Sequence, residues 1–322
     1  MIKFLKSNKI IILTILFLCI IFILNPNIYS ESVLDAITVW ALKVLPVLFP
    51  FFIFTRLIVS LATFKAGKLD KYFNKLYRVP NFGFKIFLLS AISGYPMGAK
   101  LICALNEEGK IKTREAEKMM SFCSISGPMF IIGTVGVNIF LSYKAGLIIL
   151  IANILSALIN GLIYRKDKFV EKEQIYLGNK NENILSDTVY DSTISILLVC
   201  AYMVLSFLII DVLLNIGLLN NITKAFCSIF DCPQNFETIK SSIIGLFEIT
   251  RGIIELNNAG ISLTIKTIIA SGLIGFGGIS ILMQSLSFLN KLKIPAKTIL
   301  KQKTTQGLIC LIVTIPLSFI FI

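Results

Sequence analysis

Apolar residues run in blocks of about twenty along this chain, and the polar residues between them gather in short clusters. As a helix, a block of that length spans the ~30 Å hydrocarbon core of a bilayer. The pattern predicts spans at about 10–24, 37–62, 119–141, 146–164, 192–214, 265–289 and 305–322. Two further apolar blocks, 86–104 and 237–256, are interrupted. Ser93-Gly94-Tyr95-Pro96-Met97-Gly98 breaks the first and Glu248-Ile249-Thr250-Arg251-Gly252 the second. Each is either a full crossing or a hairpin that re-enters from one side.

Charge distribution chooses between these alternatives. With both interrupted blocks as hairpins, 23 of the 31 lysines and arginines fall on one side of the membrane, four on the other and four within spans or hairpins. With both as full crossings the partition is only 17 to 10. Basic residues are retained on the cytoplasmic side, so the hairpin arrangement is expected. Lys3, Lys6 and Lys9 precede the first apolar block, and the bulky stretch Asn27-Ile28-Tyr29-Ser30 is a poor cleavage site. This block is expected to remain as an anchor.

The predicted fold class is an all-α polytopic membrane protein with about seven spans, two re-entrant hairpins, broken helices and inverted repeats. Residues 1–32 form an anchor helix and outer loop. Repeat 1 covers 33–164, with hairpin 86–104 and broken helix 119–141. A cytoplasmic linker occupies 165–191. Repeat 2 covers 192–322, with hairpin 237–256, broken helix 265–289 and C-terminal helix 305–322. At an offset of 151 residues, Leu105-Asn106 and Gly109 match Leu256-Asn257 and Gly260, while Ser126-Gly127-Pro128 aligns with Gly277-Gly278-Ile279. In the charge-selected topology the two hairpins enter from opposite sides, which makes the units inverted copies, an architecture of secondary transporters.

Small residues and proline inside a membrane helix release backbone N–H and C=O groups that must find other partners. Ser124-Ile125-Ser126-Gly127-Pro128 and Gly275-Phe276-Gly277-Gly278 are such breaks. A half-helix that starts after each would aim its positive end at an anion, whereas glycines used only for close helix packing would not. Lys100 and Arg251 are also 151 apart, just beyond the hairpin tips, and a charge at the bilayer centre costs about 2.5–3.5 kcal/mol. An inverted pair of cations facing one cavity suits a molecule with two carboxylates. Glu248 and Glu255 are alternative partners of Arg251 at helical spacing, and Glu248 is a candidate proton carrier. The candidate substrate-binding set is Lys100, Arg251, Ser93, Gly94, Tyr95, Pro96, Ser126, Gly127, Thr250, Gly277 and Gly278. Lys43, Arg56 and Asp211 are read as span-end residues, Asn153 and Asn160 as interhelical hydrogen-bond partners, and 110–118 as a short surface helix.

Composition narrows the function further. The chain is 56% apolar and 15% charged, with a mean hydropathy of +0.84 and no histidine. The absence of histidine removes Ser-His-Asp triads, HExxH zinc sites and His-ligated haem, so no catalytic residue, metal or cofactor is expected and the chain is not read as an enzyme. The net charge of +13 lies in blocks beside apolar spans, which argues for topology rather than nucleic acid. The seven cysteines form no CxxC pair, and Cys227 and Cys232 share one loop. A small anion and membrane lipid are the expected partners, in a multi-pass protein of the cell membrane whose oligomeric state is left open.

The segments Ser93-Gly94-Tyr95-Pro96-Met97-Gly98-Ala99-Lys100 and Phe122-Cys123-Ser124-Ile125-Ser126-Gly127-Pro128-Met129-Phe130-Ile131-Ile132-Gly133 resemble the YlbJ-type sporulation integral membrane proteins. Phe247 to Gly252 and Gly275-Phe276-Gly277-Gly278-Ile279-Ser280 are similar to the same family, over about 33–310. That family is related to the nucleoside-recognition or gate membrane domain. The resemblance implies a transporter that moves dipicolinate, a planar dianion, through the outer forespore membrane during sporulation. A nucleoside or other metabolite permease, or a non-transporting assembly protein, is the alternative.

Overall fold

The computed structural model describes residues 12–13, 16–61, 67–165 and 183–322, and the regular structure among them is helical. Lys3, Lys6, Lys9 and most of the linker lie outside the described residues. Helix α1 (16–24) is separated by Asn25 alone from α2 (Pro26–Val39), which passes through a π-type turn, Trp40–Val44, into α3 (Leu45–Leu61). The expected outer loop is therefore absent. Pro26 sits in the first turn of α2, where its missing N–H costs nothing, so it starts a helix rather than ending one.

After the short amphipathic α4 (Lys68–Tyr77) come α5 (Gly83–Ser93) and α6 (Met97–Glu107). These two fold back on each other, since a Cβ placed on Gly98 would lie 3.0 Å from Ser90 Oγ. Eleven residues reach about 16 Å, half a hydrocarbon core. Helix α7 (Thr113–Cys123) is not the separate surface helix expected. Glu115 Oε2 takes the Lys112 N–H at 2.8 Å to start it, but Met119 to Cys123 are buried and it runs directly into the irregular stretch 124–128. A π-type helix, Met129–Ile139, follows, and then α8 (Tyr143–Ile163), capped by Ser142 Oγ on the Ala145 N–H at 3.2 Å.

The second half repeats this order. Helix α9 (Ile184–Asn215) starts inside the stretch read as linker. The amphipathic α10 (Leu218–Ile229) precedes a second fold-back, α11 (Phe236–Phe247) and α12 (Ile249–Asn258), where a Cβ on Gly252 would lie 2.2 Å from Gly245 Cα. Helices α13 (Leu263–Phe276) and α14 (Gly278–Leu289) are divided at Gly277, whose φ of 94° suits glycine. Helix α15 (Ala296–Phe321) closes the chain and begins nine residues before the expected span.

Among the described residues, five stretches are long and apolar enough to cross a membrane: Pro26–Ile58, Tyr143–Ile163, Ile184–Asn215, Leu263–Leu292 and Ala296–Phe321. Of the seven expected spans, 119–141 is not among them, because its break leaves two pieces of eleven residues. The block 10–24 is described only in part. Helices that occupy the same place in the two halves pack on one another, α3 on α9 and α8 on α15. One core cluster lies around α5, α6 and α7, with Ile102, Met119 and Phe122. A second joins α3, the π-type helix, α8, α9, α12 and α13 through Phe52, Ile131 and Ile149.

Candidate functional site

Each fold-back tip meets the helix break of its own half. A Cβ on Gly94 would lie 2.4 Å from Gly127 N, and one on Gly278 would lie 3.2 Å from Ile249 Cγ1. On the first tip a side chain would push the two segments apart, because the nearest atoms are backbone, whereas in the second break the contact is a tight one with a side chain and glycine is favoured by its φ of 68°. Gly94, at φ 74°, adds a backbone conformation that other residues resist.

The broken backbone is satisfied from neighbouring helices, as a low-dielectric setting requires. Asn153 Nδ2 donates to Ser126 O at 3.3 Å, and Tyr95 Oη donates to Ser124 O at 3.0 Å. Asn160 Nδ2 donates to Ser121 O at 2.7 Å and to Gln302 O at 3.1 Å, which ties α8 to α7 and α15. Asn153 and Asn160 thus serve as interhelical partners, as expected.

Between the tips and breaks lies a cavity lined on one side by Tyr95, Ser126, Gly127 and Phe130 and on the other by Glu248, Ile249, Thr250, Ser280, Ile281 and Gln284, with Val44, Leu48, Val199 and Met203 completing its wall. Its volume of about 40 Å³ takes a few water molecules and no larger guest. Ser126 Oγ is buried without a hydrogen-bond partner. Glu248 is the N-cap of α12, with Oε2 accepting the Arg251 N–H at 2.6 Å.

Among the predicted site residues, the structure brings Tyr95, Ser126, Gly127, Thr250 and Glu248 to this cavity. Gly94, Gly277 and Gly278 shape the adjoining backbone. Ser93 is buried and donates back to Leu89 O at 2.5 Å, and Pro96 precedes α6 at the tip. Lys100 and Arg251 do not share the cavity. Lys100 Nζ donates to Ser195 Oγ at 3.0 Å, about three turns into α9. Arg251 turns to the far end of α9, where Nη2 meets Asp211 Oδ1 at 2.6 Å, Nε meets Glu255 Oε1 at 3.1 Å and the guanidinium lies 5.0 Å from the Phe207 ring centre. Ser195 and Asp211 are sixteen residues apart on one helix, roughly 24 Å, longer than a small dicarboxylate. Of the two partners expected for Arg251, Glu255 pairs with its side chain while Glu248 holds its backbone N–H, and Asp211, read as a span-end residue, joins Glu255 on the guanidinium. Arg56 likewise pairs with Asp191.

One central residue escaped the sequence reading. Lys303, one of the 23 basic residues that the charge partition places on the cytoplasmic side, is 4% exposed. Its ammonium donates to Tyr95 Oη, to Ser124 O at 2.8 Å and to Gln306 Oε1 at 2.8 Å. Its Nζ also lies 4.8 Å from the Tyr95 ring centre, and a Cβ on Gly277 would lie 3.3 Å from its Cε. One cation therefore touches the first tip and the first break and lies against the second break. A signal was present: Lys303, Gln306, Gly307, Cys310, Thr314 and Ser318 recur at helical spacing as one face, and all are buried.

Among the described residues no group of three or more Cys, Asp or Glu side chains is arranged to hold a metal ion. No family model and no solved structure matches the chain. It is 29% identical over 334 residues to the sporulation integral membrane protein YlbJ of Bacillus subtilis (strain 168), covering 94% of this chain and 81% of that protein. Together with the membrane-length helices, this likeness along nearly the whole chain shows a homologue of an integral membrane protein and supports a YlbJ-type family.

Proposed function

We propose that the chain is a secondary transporter of a small anionic metabolite in a sporulating cell, with the two fold-back units as inverted repeats and dipicolinate as the cargo. The observation that carries this reading is the meeting of two broken helices and two fold-back tips, one set from each half, around a single cavity. The packing of α3 on α9 and of α8 on α15 supports it, because like elements meet where two repeats are related by a two-fold axis. In the proposal Glu248 carries a coupling proton: a carboxylate on the wall would repel an anion and is neutralised when a proton travels with the cargo. The outer forespore membrane, which the relative's name does not state, belongs to the proposal as well.

The small cavity describes a closed conformation, so transport requires the tips to move away from the breaks. Uptake of labelled dipicolinate into vesicles that contain the purified chain tests the reading. Saturable uptake above that of protein-free vesicles is expected. Uptake equal to that background would overturn transport and favour an assembly role for the same helices.

A further inference from the structure

The polar groups around Lys303 are rich in donors and poor in negative charge. Its ammonium is held by three neutral oxygens, and no carboxylate of the described residues forms an ion pair with it. Gln306 uses Oε1 on Lys303, which leaves Nε2 as a buried donor with no partner. Ser126 Oγ, two residues from Ser124, is a second one and lines the cavity. Tyr95 joins the two places, since its side chain lines the cavity and its hydroxyl holds Lys303.

We propose that Lys303 is the residue that recognises the negative charge of the cargo. The inference rests on the transport reading above and names the cation of that site, in place of Lys100 and Arg251. A carboxylate that enters beside Tyr95 and Ser126 replaces a neutral oxygen on the Lys303 ammonium with a charged one, and charge-assisted hydrogen bonds are roughly twice as strong as neutral ones. The same carboxylate meets the idle donors of Gln306 and Ser126. Before it arrives, Lys303 fastens Tyr95 to Ser124 and holds the first tip against its break; drawing the ammonium onto the cargo loosens that fastening. Binding of charge and opening of the tip are then one event.

The test uses the full-length chain in lipid vesicles with labelled dipicolinate as the probe. Lys303→Gln should raise the concentration for half-maximal uptake by about 10- to 150-fold, the worth of one charge-assisted contact. Gln306→Glu places a fixed carboxylate on the ammonium and should fold at least as well while it lowers uptake to a similar degree. The neutral diamide of the same ring should compete at least tenfold more weakly than dipicolinate against the unmodified chain. Unchanged uptake in Gln306→Glu, or equal competition by the diamide, would overturn the role of Lys303 and leave transport standing. Background uptake by the unmodified chain would overturn both. The diamide comparison needs no variant, so a failure of Lys303→Gln to fold does not decide the matter.

Discussion

In the first half the fold-back tip carries Tyr95 and leans on Gly127; in the second half the tip carries Glu248 and leans through Ile249 on Gly278. The backbone problem is the same in both places, a broken helix that needs a close neighbour, and both halves solve it with a glycine at the contact. The charges differ. The first tip has no charge of its own and takes Lys303 from α15, whereas the second presents a carboxylate whose nearest recorded bond is to the backbone of Arg251. The shared order of elements therefore accounts for the scaffold, while the chemistry at the centre comes from the places where the two halves differ.

If the tip contacts are what the halves share, glycine substitutions there should have the largest effects. Gly94→Ala combines a Cβ 2.4 Å from Gly127 N with a φ of 74°, so a loss of about 4 kcal/mol is expected. Gly252→Ala meets Gly245 Cα at 2.2 Å without a positive φ, for a loss of about 3 kcal/mol. Gly109→Ala, with φ 69° and nothing within 4 Å, should lose only about 1 kcal/mol. Thermal unfolding of the purified variants in detergent checks the order. A Gly109 loss as large as that of Gly94 would show that backbone conformation, and not tip contact, sets the cost.

The fold-backs and breaks were legible because glycine, proline and charge interrupt otherwise apolar blocks, as at Ser93 to Gly98 and Glu248 to Gly252. Lys303 was not, because Lys297, Lys301 and Lys303 together read as a flanking basic cluster. Charge counting treats a cluster as a unit, while a helix sends neighbouring residues to different faces: Lys301 is exposed and Lys303 is buried. Lys100 and Arg251 were read as a symmetric pair facing one cavity, but their partners lie on α9, and nothing local in the sequence names Ser195 or Asp211 as those partners.

The two arginines that pair with acids of α9 sharpen the comparison at an intermediate scale. Arg251 and Asp211 are each 17% exposed, whereas Arg56 and Asp191 are 23% and 40% exposed. Removing one member of a largely buried pair leaves an uncompensated charge, so Arg251→Gln should lower stability by about 3 kcal/mol. The more exposed pair is screened, and Arg56→Gln should cost about 1 kcal/mol or less. The comparison is read as the difference between the two unfolding midpoints. Equal shifts would mean that Asp211 and Glu255 reach water once Arg251 is gone.

Lys100 should give the smallest effect, and it separates the repeat-derived site from the observed one. Its ammonium has a single recorded side-chain bond, to Ser195 Oγ, and its charged surroundings are Arg56 and Asp191 rather than the cavity. Lys100→Gln shortens the side chain by one bond and removes at most the single hydrogen bond to Ser195, so the expected loss of stability is about 1 kcal/mol. Because Lys100 lies outside the cavity and some 24 Å along α9 from Arg251's partner, dipicolinate uptake should stay within about twofold of the unmodified chain. Lys303→Gln, measured in parallel, should fall by at least tenfold. If the order reverses, with Lys100 decisive and Lys303 silent, the symmetric pair that the sequence suggests would be the substrate site. The cavity between the tips would then be a packing feature of the closed state.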